Sequence, residues 1–245
     1  MPAPVVPMSV VPMSVVPGSV VPASAGPAPL IRLAGVSKSF RSASGTSLVL
    51  EAVDLEIAAG QKVSLVGPSG CGKSTLLALM AGLLRPDSGT VAIDGQALAD
   101  LGDDEMAALR ARRIGIALQS DNLIPFLSAL ENVELALGFG GGGDTARRAR
   151  AVLERMGVAH RADHLPRQLS GGEAQRVALG VALANGPALL LADEMVAQLD
   201  AATAAAVVGD VFRSDMAVLF VTHDPVLADR ADLRLRVRDS RLVAR

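Results

Sequence analysis

The 245-residue chain carries 23 Lys and Arg against 25 Asp and Glu, a net charge of -2, and half of its residues are hydrophobic. That balance supplies core for one large domain or two lobes and leaves no basic excess to hold a nucleic-acid backbone. Five Phe with neither Trp nor Tyr argue against a base-stacking platform, and the single cysteine, Cys71, forms no internal disulfide, in keeping with a reducing cytoplasm.

From Val5 the chain reads VVPMS, VVPMS, VVPGS, VVPAS, and no charged residue precedes Arg32. Proline at every fifth position forbids a regular helix and denies a sheet its donors. Residues 1–29 are therefore expected to form an unstructured extension or to precede the true start of translation. Ala23-Ser24-Ala25 resembles a signal-cleavage site, but a positive leading segment is missing and proline interrupts the apolar part, which argues against secretion. No other stretch reaches the roughly 18 apolar residues of a membrane span, so spans would come from another chain.

Strand-like runs at 31–33, 48–57 and 61–66, with Ala59-Gly60 as a turn, read as an antiparallel patch that leads into Gly67-Pro68-Ser69-Gly70-Cys71-Gly72-Lys73-Ser74-Thr75. Apolar residues before this stretch and a helix-forming run after it place the glycines between a strand and a helix. That is the context of a phosphate-binding loop, whose glycines turn successive N–H groups toward one anion beside a positive helix end. Lys73 is expected to reach β- and γ-phosphates and Ser74 to ligate Mg²⁺. Gly67, Ser69, Gly70, Cys71, Gly72 and Thr75 complete the phosphate site, Cys71 as a filler position.

The following helix, 73–84, stops at Arg85-Pro86-Asp87-Ser88-Gly89, and a strand at 90–93 ends in the Asp94-Gly95 turn. Asp103 reads as the N-cap of a helix whose last turn carries Arg110, Arg112 and Arg113. A strand at 114–118 delivers Gln119 at its end. Residues 119–169 are helical and loop-rich, with a surface connection at 138–143 and a helix near 145–156, and a helical lobe of about 120–180 is expected as an insertion. Ser170-Gly171-Gly172 opens a helix to about 185. A buried strand at 188–192 ends in Asp193-Glu194, Asp200 begins a helix to about 212, and a strand at 217–221 ends in Thr222-His223-Asp224, with Asp224-Pro225 as N-cap and first helical residue.

This order predicts an α/β fold, a mostly parallel sheet with helices on both faces, where ligands bind at the carboxyl ends of strands. Asp193 sits at such an end as a second Mg²⁺ ligand, Glu194 beside it is placed to polarise an attacking water, and His223 ends a neighbouring strand where a γ-phosphate belongs. His160 and His164 have no such setting and receive no role.

Over residues 30–240 the chain resembles the ATP-binding cassette ATPases. The resemblance rests on the phosphate loop at 67–75, Gln119 as the Q-loop glutamine, Leu169-Ser170-Gly171-Gly172-Glu173 as the signature, 189–194 as the second nucleotide motif, Leu199-Asp200 as the D-loop and His223 as the switch histidine. It implies a P-loop NTPase core with a small antiparallel subdomain and an inserted helical subdomain. It also implies a head-to-tail dimer with two ATP molecules at the interface, in which Ser170, Gly171 and Gly172 of one copy supply donors to the far side of the other copy's γ-phosphate.

By the same resemblance Phe40 stacks on adenine in place of the usual tyrosine, Gln119 senses Mg²⁺ and the attacking water, Glu194 is the general base, His223 holds the γ-phosphate and Asp200 joins the nucleotide site. The stretches 119–125 and 129–133 look like the subgroup serving lipoprotein-release, macrolide-export and cell-division permeases. A separate membrane permease is then the expected partner, with the chain peripheral on the inner face of the cell membrane. A non-transporting cassette that uses ATP as a conformational clamp is the rival reading, and the acidic balance disfavours a DNA-repair cassette. Met195-Val196 stands where the family commonly has Pro-Thr, and Val181 where an arginine is usual, departures that bear on rate and coupling more than on ATP binding.

Overall fold

The computed structural model describes residues 28–42, 45–118, 123–141 and 143–244. Its centre is a six-stranded sheet ordered β10-β9-β3-β8-β7-β6, built from β3 (Lys62–Val66), β6 (Ile114–Ala117), β7 (Leu189–Asp193), β8 (Ala217–Val221), β9 (Leu233–Arg238) and β10 (Arg241–Ala244). All neighbours are parallel except the β9–β10 edge pair. Beside it lies an antiparallel sheet ordered β2-β1-β4-β5, from β1 (Ile31–Ser42), β2 (Gly45–Ile57), β4 (Ser88–Ile93) and β5 (Gln96–Ala97).

The parallel strands are short apolar runs because both of their faces are covered. Alternation then sorts the side chains. Leu189, Leu191, Leu219 and Val221 point into a core shared with the antiparallel sheet and with α1 (Lys73–Met80). Leu190, Ala192, Val218 and Phe220 point the other way, toward α5 (Gly171–Leu183) and α6 (Ala201–Arg213), where the Phe212 and Phe220 rings lie 5.6 Å apart. A one-residue slip of either strand would exchange the two sets. A third apolar cluster joins α3 (Ala129–Gly140) and α4 (Thr145–Arg155) to α5 through Val133, Leu137, Leu153 and Val177.

One buried cation closes the floor of the central sheet. Lys62 Nζ donates to the carbonyls of Gly60, Ser214 and Met216 at 2.8, 2.8 and 2.6 Å, so the ammonium meets as many acceptors as it has protons. Burial lowers its pKa, and the charges of Asp232 and Asp215 pull the other way.

Several boundaries differ from the sequence-based expectation. The run at 61–66 belongs to the parallel sheet, between β9 and β8, and not to the antiparallel patch. The first strand runs to Ser42, bent by register shifts near Val36 and Lys38. The helix after the phosphate loop ends at Met80, and residues 81–84 turn away. Asp103 is the first residue of α2 (Asp103–Arg113), whose N-cap is Gly102; with no side chain there to cap the helix, only the returning half of a capping box forms, the Glu105 carboxylate accepting from the Gly102 N–H at 3.0 Å. β9 and β10 were not expected, although the alternation of Leu233, Leu235 and Val237 with arginines carries a period of two.

Candidate active site

The loop between β3 and α1 is shaped by glycine. Gly72 caps α1 with φ 105°, and a Cβ there would lie 2.8 Å from Val49 Cγ1, so both backbone angle and space demand glycine. Lys73, the first residue of α1, is buried, and its Nζ donates to the carbonyls of Gly67 and Pro68 at 2.9 and 2.8 Å. The ammonium therefore lies folded over the loop that its own sequence forms. Ser69, Gly70 and the half-buried free thiol of Cys71 complete the turn, and Thr75 follows in α1.

Two other strand ends, those of β7 and β8, converge on this loop. Ser74 Oγ donates to Asp193 Oδ2 at 3.1 Å, which brings the two expected Mg²⁺ ligands together from residues 119 apart in sequence. Glu194, next after β7, adopts a left-handed φ of 52° and its N–H donates to Val221 O at 3.1 Å, tying it to the end of β8. His223 follows β8, and its Nε2 lies 3.3 Å from Glu194 Oε1. Asp224 turns the chain there, its Oδ1 accepting from Val226 N at 2.8 Å at the start of α7 (Pro225–Ala228). A polar pocket of about 260 Å³ opens beside Gly67 and is lined by Thr222, His223 and Arg236. An apolar cavity of about 520 Å³ lies between the end of α5 and α6 and touches none of the candidate residues.

Phe40 lies on β1, 42% exposed, with Lys38 Nζ 5.7 Å from its ring centroid. Such exposure is unusual for a packing phenylalanine and suits a ring that stacks on a ligand. Lys38 is itself held by Asp87 at 2.8 Å, and Asp87 accepts two further bonds from Ser39 N and Oγ at 2.7 Å each.

The signature turn is built separately. Ser170 caps α5 in a reciprocal box: Glu173 N donates to Ser170 Oγ at 3.3 Å and Ser170 N to Glu173 Oε2 at 2.8 Å. The other Glu173 oxygen accepts from Arg161 Nε at 2.8 Å, with His160 Nε2 at 3.5 Å. The Ser170 N–H bond first and the Arg161 bond second hold the Glu173 carboxyl down to about 2. Among the described residues, no hydrogen bond or ion pair links Ser170, Gly171 or Gly172 to residues 67–75. Asp200 caps α6, its Oδ1 accepting from Thr203 N at 3.0 Å. The bond from Thr203 lowers its pKa. Gln119 lies outside the described residues.

Two supporting side chains escaped the sequence reading. Gln175 on α5 bonds the backbone at both Glu194 and Gln198. Arg161 carries Glu173, and its only signal in the sequence is an arginine upstream of a capping box.

The family model described as ABC transporter matches residues 50–197, more than half of the chain. The chain is 42% identical over 220 residues to the ABC transporter ATP-binding protein YknY of Bacillus subtilis (strain 168), covering 87% of this chain and 95% of that one. It is 43% identical over 222 residues to the lipoprotein-releasing system ATP-binding protein LolD 2 of Rhodospirillum rubrum, covering 88% and 96%. Its fold matches the ATP-binding cassette MJ0796, solved as a dimer in a post-hydrolysis state bound to ADP and Pi, with a TM-score of 0.82 and 37% identity over 86% of this chain and 96% of that one. The matched segment spans the phosphate loop, the signature turn and the Asp193-Glu194 strand end, and YknY and LolD 2 align along nearly their whole length; the chain belongs to the ABC transporter family.

Proposed function

We propose that this chain is the ATP-hydrolysing subunit of a membrane transporter and works as a head-to-tail dimer. The observation that carries the reading is the convergence of Ser74, Asp193, Glu194 and His223 on one phosphate loop. Lys73 exchanges its loop carbonyls for the β- and γ-phosphates, and Phe40 stacks on the base. Ser74 and Asp193, hard oxygen donors 3.1 Å apart, would hold a Mg²⁺, which would supply charge neutralisation on the transferred group. Gln119 is the residue that, by its place in the family pattern, would sense that ion and the attacking water.

Glu194 accepts the proton of a water as its oxygen bonds the γ-phosphorus. The bond from that phosphorus to the β–γ bridging oxygen breaks, and ADP leaves with the bridging oxygen. His223, 3.3 Å from the Glu194 carboxylate, orients it and holds the γ-phosphate. Ser170, Gly171 and Gly172 presented by a second copy close the far side, with that copy's Asp200 alongside. The absence of any bond from the signature turn to the chain's own phosphate loop, among the described residues, supports a site completed by a partner.

No helix among the described residues is long and apolar enough to cross a membrane. The partner is a separate permease, whose cytoplasmic segment docks on the helical lobe at about 120–180, where Phe126 is 77% exposed and Phe139, 68% exposed, lines a pocket with Glu131 and Glu134. On this reading the chain works peripherally, on the inner membrane face. The reading is tested with Glu194→Gln: hydrolysis is lost, ATP is retained, and light scattering shows an ATP-dependent dimer. Wild-type hydrolysis by that variant refutes the assigned base, and a monomer at saturating ATP refutes the composite site.

A further inference from the structure

Glu194 stands in a left-handed backbone conformation, φ 52°, that a non-glycine residue rarely adopts, so its surroundings must hold it there. Its own loop is poorly equipped to do so: Met195 and Val196 follow it, with neither a proline to fix φ nor a hydroxyl to bond the turn. Two local backbone bonds are present, from Ala197 N to Glu194 O at 3.2 Å and from Leu199 N to Val196 O at 3.1 Å.

The Glu194 N–H is tied to Val221 O at the end of β8, and the segment that follows is held from α5. Gln175 Nε2 donates to Glu194 O at 2.8 Å, and Gln175 Oε1 accepts from Gln198 N at 2.8 Å, so one amide grips both ends of the segment 194–198. The reverse amide orientation would oppose oxygen to oxygen and N–H to N–H, so the geometry admits one assignment. The turn at the start of α5 rests on the same segment: a Cβ on Gly171 would lie 2.8 Å from Gln198 Oε1, and one on Gly172 would lie 2.8 Å from Gln198 O. Signature turn, Gln175 and the Glu194 loop are therefore one packed unit.

We propose that Gln175 is a positioning residue for hydrolysis: it fixes Glu194 in its working conformation and ties that conformation to the placement of the Ser170-Gly171-Gly172 turn. In a head-to-tail dimer this turn serves one ATP and Glu194 the other, so the amide connects the two sites through a single side chain. The proposal rests on Glu194 being the general base.

The test uses the full chain and four proteins: wild type, Gln175→Met, Glu194→Gln and the double variant, with Gln175→Glu as a second probe. Methionine keeps the length and loses both bonds; glutamate keeps the acceptor to Gln198 N and loses the donor to Glu194 O. We expect kcat to fall about 10- to 100-fold in Gln175→Met, with KM for ATP within about 2-fold and ATP-dependent dimerisation kept, and at least as large a fall in Gln175→Glu, whose second carboxylate oxygen opposes Glu194 O. Because Gln175 acts through Glu194, Gln175→Met should change the residual single-turnover rate of Glu194→Gln less than about 2-fold. Wild-type kcat in both Gln175 variants, a loss that sits in KM or in dimerisation, or a full additional loss in the double variant overturns the proposal. Wild-type hydrolysis by Glu194→Gln overturns the base assignment and the proposal with it, whereas an inactive Glu194→Gln beside active Gln175 variants overturns the role of Gln175 alone.

Discussion

Asn132→Leu should loosen the segment before α3 while leaving the phosphate site intact. Asn132 is buried, and its side chain organises residues 124–128: Oδ1 accepts from Ile124 N at 2.7 Å, and Nδ2 faces the carbonyls of Ile124, Leu127 and Ser128 at 3.2, 3.0 and 2.9 Å. An amide nitrogen has two protons, so three acceptors share two donated bonds. Leucine matches the volume and removes all of them. Ser128 O keeps its helical bond from Asn132 N at 3.0 Å, but the half-buried Ile124 N–H is left bare, at about 1–3 kcal/mol. The two donated bonds add about 0.5–1.5 kcal/mol each, and partial rehydration of the segment sets the total near 3 kcal/mol. At about 2–4 °C per kcal/mol for a chain of this size, thermal unfolding should shift down by about 6–12 °C. Hydrogen exchange should accelerate at the Ile124 and Leu127 amides, and ATP hydrolysis per folded molecule should stay within about 3-fold, since Asn132 touches no phosphate-site residue. An unchanged midpoint with wild-type exchange at Ile124 would refute the reasoning.

Phe40→Ala should weaken ATP binding by about 10-fold, as loss of one base-stacking face costs about 1–3 kcal/mol. Phe40→Trp introduces the chain's sole tryptophan, whose fluorescence should quench on ATP addition; a signal blind to ATP would show that the ring does not meet the base. Glu173, held to about 2 by Ser170 N–H and Arg161, contributes stability that is present above its ordinary carboxyl pKa and lost as pH falls toward 2. Arg161→Ala raises that pKa, so the variant's acid-unfolding midpoint should move to higher pH; superimposable acid curves would show that the pair does not stabilise the signature turn.

The parts of the site that were legible in the sequence have one physical feature in common: their partners are distinctive residue types or the chain immediately beside them. The phosphate loop is contiguous from Gly67 to Thr75, so spacing alone carries its chemistry. Asp193, Glu194 and His223 lie at the ends of apolar runs, and a parallel sheet brings such ends to one edge whatever its strand order. The expected order of strands and helices therefore yielded the cluster without the register. The grouping of the run at 61–66 with the antiparallel patch failed for a related reason. Adjacency in sequence suggested membership of that patch, but burial on both faces put β3 between β8 and β9.

Gln175, Asn132 and Lys62 were not legible because each bonds to main chain. Their acceptors and donors are the carbonyls and N–H groups of Glu194, Gln198, Ile124, Leu127 and Met216, and every residue except proline has both, so no complementary side chain in the sequence marks the partner. The separation reaches 154 residues for Lys62 and Met216, beyond any local window. These are also the groups that hold strained or irregular backbone in place, and the same condition governs Glu194. A loop with Met195-Val196 where the family commonly has Pro-Thr does not carry its own rigidity, so the restraint has to be supplied from outside it. The departure was visible in the sequence, and the amide that offsets it became visible only when α5 and the end of β7 were seen side by side.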